Sequence, residues 1–247
     1  MSGGNPACVI PLDSWLEDDL MLSISKINSV AETAFFILKD DTILLRWFTP
    51  EIEMDLCGHA TLATAHCLNS ILNHPNKSIR FETKSGEITV DFKDDKYHMD
   101  FPTRIPLKSD LPKLISKSLN LKPLEVYKSR DYLLIYDSEE DIKKIKINTN
   151  YFNQINLDPG GVVVTAKGTN SDFVSRYFTP QSTILEDPAT GSSHCSLIPF
   201  WSKRLNKTHL TSIQLSKRIG EFECINHSKR VTVIGSAVNY SKTTITI

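Results

Sequence analysis

The sequence predicts an α+β fold of two pseudo-symmetric domains, each a β-barrel or half-barrel around a central helix. Three observations support this prediction. Short alternating or β-branched runs, separated by Gly, Pro, Asn and Asp, occur along most of the 247 residues. Two helical segments are apolar almost all the way round, and one group of motifs occurs twice.

The first predicted element is an amphipathic helix from about residue 15 to residue 28. Leu16, Leu20, Ile24 and Ile27 fall on a single face of this helix. A helix with one apolar stripe packs on the outside of a core, so we expect it to be peripheral.

The predicted strands are short and are distributed along the whole chain. Each combines alternating or β-branched residues with flanking turn residues. They cover residues 42–48, 87–92, 97–101, 132–136, 162–165, 222–225, 230–234 and 243–247.

Two further predicted helices, at residues 59–72 and 193–201, lack a polar face. Helices of this kind are normally buried. Many strands and a few enclosed helices together indicate barrels or half-barrels that wrap around central helices.

The duplication is visible in short motifs that occur in the same order. RWFTP at 46–50 precedes DLCGH at 55–59, and RYFTP at 176–180 precedes DPATGS at 187–192. Unless RWFTP and RYFTP match by chance, this order implies two similar domains related by a pseudo-twofold axis. Prolines between residues 105 and 125 favour a boundary there. We predict domains at 1–110 and 111–247, with the last strand returning to the first domain.

The composition argues against two classes of partner. The 28 Lys and Arg residues nearly balance the 29 Asp and Glu residues, and no basic block offers the face that nucleic acid requires. The start of the chain lacks the pattern of a secretion signal, and no stretch reaches the roughly 18 to 20 apolar residues of a membrane span. We therefore expect a cytoplasmic protein that binds neither nucleic acid nor membrane.

The cysteine pattern and the missing motifs argue against several common kinds of site. Five cysteines, an odd number with no CxxC pair, predict neither a disulfide framework nor a metal site. The motifs typical of nucleotide-binding, phosphate-loop, zinc-protease and serine-hydrolase sites are also missing. Proton transfer needs none of these motifs.

The duplicated bends each place a glycine, Gly58 or Gly191, just before a buried helix. Unpaired backbone N–H groups at two helix starts can bind an anion such as a substrate carboxylate. The alternative is ordinary capping, in which Asp55, Thr190 or Ser192 satisfies its own helix.

Glu32 is the best candidate for a group that moves protons. It precedes the apolar run Thr33 to Phe36, where a solvated charge is less expected. Removal from water raises the pKa of a carboxyl toward neutrality, which allows it to accept and donate protons. The alternative is a strand residue that faces solvent.

The other candidates are histidines and one aspartate near the bends. His59, at a helix start, could be a neutral relay or only a cap residue. His66 is better explained as a core histidine, and the place of His194 stays open. Asp187 could orient a substrate amine or tune Glu32, although Asp-Pro is also a common turn dipeptide.

The two bend sequences together resemble the phenazine biosynthesis-like (PhzF-like) family. The matching stretches are residues 55–63 and 186–192, supported by residues 4–7, 32–35 and 231–238 and by both FTP segments. The resemblance implies the diaminopimelate epimerase fold, in which each of two domains wraps a β-barrel around a central helix. It also implies a homodimer.

The same resemblance implies a cofactor-independent isomerase that acts on a small carboxylic acid. In the phenazine member, a glutamate moves a proton between ring carbons of a dihydro-hydroxyanthranilate, and Glu32 matches that glutamate. The remaining matches are His59 and Asp187 as catalytic residues and Gly58, Gly191 and Ser192 as substrate-binding residues.

Three departures from the family pattern affect these expectations. The chain starts close to Gly4, so the N-terminal barrel is expected to lack the first strand that the family usually has. Ala31 replaces a common Ser, and Ile219 replaces a Gly of an Arg-Gly-Gly motif.

Two other functions compete with a one-base isomerase. A two-base racemase or epimerase of the same fold would need a cysteine at each bend, but Thr190 stands where the partner of Cys57 would be. A catalytically silent binding protein of this fold is the second alternative.

Overall fold

A computed structural model of the chain describes residues 3–39, 42–157, 160–180 and 182–244. The helices in this part of the chain are α1 (Asp18–Asn28), α2 (Gly58–Ser70), α3 (Lys113–Ser118), α4 (Glu139–Lys144), α5 (Thr149–Phe152) and α6 (His194–Leu205). None of them is both long enough and apolar enough to cross a bilayer.

The strands are short, as predicted, and together with the helices they confirm the α+β class. They are β1 (Ala7–Leu12), β2 (Glu32–Lys39), β3 (Thr42–Phe48), β4 (Glu53–Met54), β5 (Ser78–Thr83), β6 (Gly86–Lys93), β7 (Lys96–Pro102), β8 (Leu107–Lys108), β9 (Glu125–Lys128), β10 (Tyr132–Ile135), β11 (Val162–Lys167), β12 (Phe173–Phe178), β13 (Glu186–Asp187), β14 (His209–Gln214), β15 (Gly220–Asn226) and β16 (Arg230–Gly235).

One predicted strand is wrong where it can be checked. Thr243 and Thr244 have no regular structure, and residues 245–247 lie outside the described residues. The β-branched composition of this segment indicated a strand, but composition alone supplies no neighbouring strand for its backbone groups. The other predicted strands match β3, β6, β7, β10, β11, β15 and β16.

Strand pairing shows the duplication directly. In the first half, β1 is parallel to β2, β2 antiparallel to β3, β3 parallel to β5, and β5, β6 and β7 follow antiparallel. In the second half, β10, β11, β12, β14, β15 and β16 repeat the same series of directions. The small strands β4 and β13 also occupy matching places, beside β3 and β12.

The two halves join where β16 pairs antiparallel with β7, in register from Arg230 opposite Pro102 to Gly235 opposite Tyr97. The sheet path ends at β1 in the described part of the first half, whereas in the second half it continues from β10 through β9 to β8. Because β8 pairs with β9, the chain has passed to the second half a few residues before the predicted boundary at residue 110.

Helices α2 and α6 lie at matching places along the chain, α2 between β4 and β5 and α6 between β13 and β14. Helix α2 packs against β1, β2 and β7, and α6 packs against β14, β15 and β16. Small residues such as Ala60 and Ala65 are fully buried on α2, so strands can approach this helix closely. Helix α1 is peripheral, as predicted, with Met21 packed beside Phe35 and Phe48. The predicted apolar face is wrong in part, because Ile24 is buried but Leu20 and Ile27 are exposed.

Candidate active site

The starts of α2 and α6 meet at two glycines. A Cβ atom added to Gly58 would lie 2.7 Å from Gly191 Cα, and one added to Gly191 would lie 2.9 Å from Gly58 Cα. Both separations are shorter than carbon atoms tolerate, so the two backbones can touch only because neither residue has a side chain. The pseudo-twofold therefore brings the two bends to one place.

The two bends leave backbone donors free for a ligand. Among the described residues, no acceptor takes the amide N–H groups of Gly58, His59, Gly191 or Ser192. Ordinary capping does not account for them, because neither N-cap side chain, of Cys57 or of Ser193, forms a capping hydrogen bond. Four amide donors at two helix starts favour a bound anion.

The three residues proposed for ordinary capping have other partners. Asp55 accepts hydrogen bonds from Arg104 and Arg130. The Thr190 hydroxyl donates to Asp187, and Ser192 Oγ accepts from Arg130 at 3.1 Å.

The six residues that the sequence singled out line one cavity of about 130 Å³. They are Glu32, Gly58, His59, Asp187, Gly191 and Ser192. At about 10 to 15 Å³ for each water position, this space holds on the order of ten waters. The cavity is therefore suited to a small molecule and not to a polymer.

Glu32 and His59 lie next to each other in the lining of this cavity. Glu32 is the first residue of β2, and His59 lies in the first turn of α2. Their side chains are 14% and 10% exposed, and His59 Nε2 lies 3.2 Å from Glu32 Oε2. The two atoms do not have hydrogen-bond geometry, and neither has a hydrogen-bond partner among the described residues. Glu32 therefore does not face bulk solvent.

The imidazole of His59 is held by its neighbours. Its Nδ1 atom lies 3.2 Å from Asn5 Nδ2 and 3.6 Å from Cys57 Sγ, and the ring also hydrogen-bonds to the backbone of Pro6. Burial lowers the pKa of His59, although the charge of Asp187 and the bond to Pro6 oppose this effect. His59 is therefore neutral, with Nε2 next to Glu32.

Asp187, from the second half, also lines the cavity and is held in place by its neighbours. Asn5 Nδ2 donates to Asp187 Oδ1 at 2.6 Å, and the Thr190 hydroxyl donates to Oδ2. Gln214 donates to the Asp187 carbonyl at 2.6 Å and accepts from the Thr190 amide at 2.8 Å. These bonds fix the carboxylate and the second bend as one unit.

The surroundings of Glu32 favour its protonated form. Burial raises the pKa of Glu32 well above its ordinary value, and the charges of Asp187 and Glu51 raise it further. The charge of Arg130 acts in the opposite direction. A carboxyl that is easily protonated can both donate and accept protons near neutral pH.

Arg130 is a site residue that the sequence did not indicate. Its guanidinium contacts Asp131, Asp55 at 2.9 Å and Ser192 at 3.1 Å. It therefore links the segment before the first bend to the second bend. No local motif surrounds Arg130, and its partners Asp55 and Ser192 lie far away in the chain. Asn5, which donates to Asp187, belongs to the stretch Gly4 to Ala7 that resembles the family, but the sequence did not indicate it as a site residue.

His66 and His194 do not line the cavity. His66 contacts the Tyr97 hydroxyl at 3.0 Å, away from the site. His194 is fully buried behind the second bend, with Nδ1 2.9 Å from the Thr190 carbonyl and Nε2 2.8 Å from Ser212 Oγ. It therefore supports the bend without reaching the cavity.

His194 predicts a loss of stability at acidic pH. Burial lowers the pKa of His194 to about 4, from 6.5 when exposed. Its contribution is fully present above pH 6.5 and is lost as the pH falls toward 4, because the unfolded chain binds the extra proton. The expected loss is about 3 kcal/mol. Urea unfolding between pH 7 and 4 should show this loss of unfolding free energy in the wild type and not in His194→Gln.

Exposed His209 supplies the control for this measurement, because it is not part of a buried contact. His209→Gln should keep the wild-type slope of unfolding free energy against pH. An equal slope in His194→Gln and the wild type would contradict the assignment.

Cys57 adds a third potential ligand beside Glu32 and His59. One donor atom of each residue lies within 4.8 Å of the others. Burial raises the pKa of the Cys57 thiol well above its ordinary value, and the charge of Glu32 adds to this effect. The cysteine spacing predicted no metal site, but the fold brings three ligand types together from separate elements.

Comparison with known proteins places this site in a family context. The family model described as phenazine biosynthesis-like protein matches residues 1–243. An "uncharacterized isomerase" of Pseudomonas aeruginosa is 42% identical over 242 residues, which cover 98% of this chain and 93% of that protein.

Solved structures show the same architecture. A PhzF family protein of Enterococcus faecalis superposes with a TM-score of 0.87 at 40% identity, covering 97% of this chain and 92% of that one. A "predicted epimerase" of Pseudomonas aeruginosa superposes with a TM-score of 0.70 at 15% identity, covering 95% of this chain and 90% of that one, and so shares the fold alone. The predicted epimerase-type fold is confirmed.

Proposed function

The chain belongs to the phenazine biosynthesis-like family and is an isomerase of that family, and from this premise we propose that Glu32 moves a proton between two carbons of a small carboxylic acid. One observation carries the proposal. A buried carboxyl, whose Oε2 has no hydrogen-bond partner among the described residues, lines the same small cavity as two helix starts with free amides.

The four free amides are suited to the substrate carboxylate. Gly58 and His59 supply two of them and Gly191 and Ser192 the other two. No Lys or Arg side chain is among the described residues that line the cavity, so backbone dipoles replace a cationic side chain. A carboxylate bound there would place its neighbouring carbons toward Glu32.

The proposed reaction uses one acid/base group. Ionised Glu32 takes a proton from one carbon, and the electron pair of the broken C–H bond is delocalised onto the adjacent unsaturated system. Protonated Glu32 then returns the proton to a second carbon, which gives an isomer with no change in oxidation state. His59 Nε2, 3.2 Å from the Glu32 carboxyl, is placed to hydrogen-bond to Glu32 or to a substrate group.

A two-base mechanism has less support. Cys57 lines the cavity, but its counterpart Thr190 donates its hydroxyl proton to Asp187 and is not a base. The raised pKa of the Cys57 thiol also keeps that sulfur protonated near neutral pH.

Deuterium wash-in tests the proposal on many candidate substrates at once. The protein is incubated in D₂O with a mixture of small carboxylic acids extracted from cells, and mass spectrometry follows each acid. We expect at least one acid to gain a carbon-bound deuterium only when protein is present. A pool that shows no protein-dependent wash-in, across unsaturated, hydroxy and amino acids, would contradict the proposal.

A further inference from the structure

We propose that Glu32, Cys57 and His59 bind a single Zn²⁺ ion. The ion excludes substrate from the cavity and is therefore an inhibitor of this isomerase. Binding itself is independent of the reaction, whereas inhibition rests on the proposed function of Glu32.

The donor atoms have the chemistry and spacing of a zinc site. Zinc prefers thiolate, imidazole nitrogen and carboxylate oxygen, usually in a tetrahedral arrangement. Two N or O ligands of a tetrahedral zinc lie roughly 3.3 Å apart. His59 Nε2 and Glu32 Oε2 are already 3.2 Å apart.

The sulfur needs a small adjustment. The three donor atoms lie within 4.8 Å of one another, and a zinc-bound sulfur lies about 3.5 Å from a nitrogen ligand. Cys57 Sγ lies 3.6 Å from the other ring nitrogen, His59 Nδ1, so the thiol must turn toward the Nε2 side to enter the coordination sphere. The cavity supplies space for water at the fourth position, which is the arrangement of zinc sites with three protein ligands.

Two unpaired buried atoms point independently to a ligand at this place. Glu32 Oε2 and His59 Nε2 are both buried and lack a hydrogen-bond partner among the described residues. Buried polar atoms in proteins almost always have a partner, so two adjacent exceptions require an explanation. A cation between them satisfies both atoms at once.

The His59 ring is held from its Nδ1 side. Nδ1 lies 3.2 Å from Asn5 Nδ2, and the ring also hydrogen-bonds to the backbone of Pro6. Nε2 lies 3.2 Å from Glu32 Oε2 and has no hydrogen-bond partner among the described residues. Contacts that hold the ring in this way orient a metal-binding histidine.

Calorimetric titration with ZnCl₂ tests the site. Metal-free protein is titrated in the presence of a competing chelator, with no substrate. We expect one ion per chain and at least about tenfold weaker binding in Glu32→Gln, Cys57→Ser and His59→Gln. Cys67→Ser and His66→Gln supply matched controls, because these residues lie farther along α2 and do not line the cavity. Both should keep the wild-type affinity.

Cobalt gives a second measurement that identifies the sulfur ligand. Co²⁺ bound by the wild type should show a thiolate-to-metal charge-transfer absorption, which Cys57→Ser should lose and Cys67→Ser should retain. The proposal is overturned if the folded wild type binds no stoichiometric Zn²⁺, or if the three ligand variants bind it as tightly as the wild type.

The two proposals can fail separately. Zinc binding that depends on the three ligands, together with wash-in that does not depend on Glu32, contradicts only the proposed function. Wash-in that needs Glu32 in a protein that binds no zinc contradicts only the metal site.

Discussion

Replacement of Glu32 by glutamine is expected to lower the rate of deuterium wash-in by about a hundredfold or more. General acid/base groups typically contribute 10² to 10⁴-fold to a rate, and a carboxamide can neither take nor return the proton. Glutamine has the size and neutrality of a protonated glutamate, so the fold should be unaffected. The rate is measured by mass spectrometry, and thermal unfolding confirms that the variant is folded.

Glu51 provides the matched control for this experiment. It also lines the cavity, but its carboxylate is held by the amide and hydroxyl of Thr183 in the opposite half. Glu51→Gln should lose far less activity than Glu32→Gln. If the two variants exchange deuterium at the same rate as the wild type, Glu32 is not the acid/base.

Replacement of Gly58 by alanine should disrupt both stability and catalysis. The new Cβ would lie 2.7 Å from Gly191 Cα and 3.1 Å from the Gly191 carbonyl carbon, so only separation of the two bends relieves the clash. Overpacking of this kind typically costs about 1 to 3 kcal/mol. A displacement near 1 Å at a catalytic centre can lower a rate about a hundredfold. Urea unfolding and deuterium wash-in measure the two effects.

The contact between Gly58 and Gly191 can also be tested from its other side, and a third glycine supplies a control. Gly191→Ala places its Cβ against Gly58 from the other side and should have a similar effect. A Cβ on Gly235 would lie 3.8 Å from Leu62 Cδ2, an ordinary contact, so Gly235→Ala should resemble the wild type. Wild-type stability and wash-in in Gly58→Ala would show that the bends do not depend on this contact.

Much of the fold was predictable because its signals are local. The absence of a polar face marked α2 and α6, and the repeated RWFTP and RYFTP segments marked the duplication. Glu32, His59 and Asp187 could be named because each adjoins a recognisable motif. The strand predicted at residues 243–247 shows the limit, since β-branched residues favour a strand but do not specify a partner.

The unpredicted parts of the site are long-range contacts. Arg130 reaches Asp55 and Ser192, which are 75 and 62 residues away in the chain. The zinc site likewise combines one residue of β2 with two at the start of α2, a spacing that no cysteine motif describes. Such sets become visible only when separate elements of the chain are packed together in three dimensions.

The antiparallel pairing of β16 with β7 has a consequence for biosynthesis. During translation, β7 emerges more than a hundred residues before β16, and its edge has no strand to pair with until Gly235 has left the ribosome. An uncovered strand edge is a template for association with other chains. The nascent N-terminal half thus passes through a prolonged period in which it is prone to aggregation, and chaperones would be most useful to the cell during that interval.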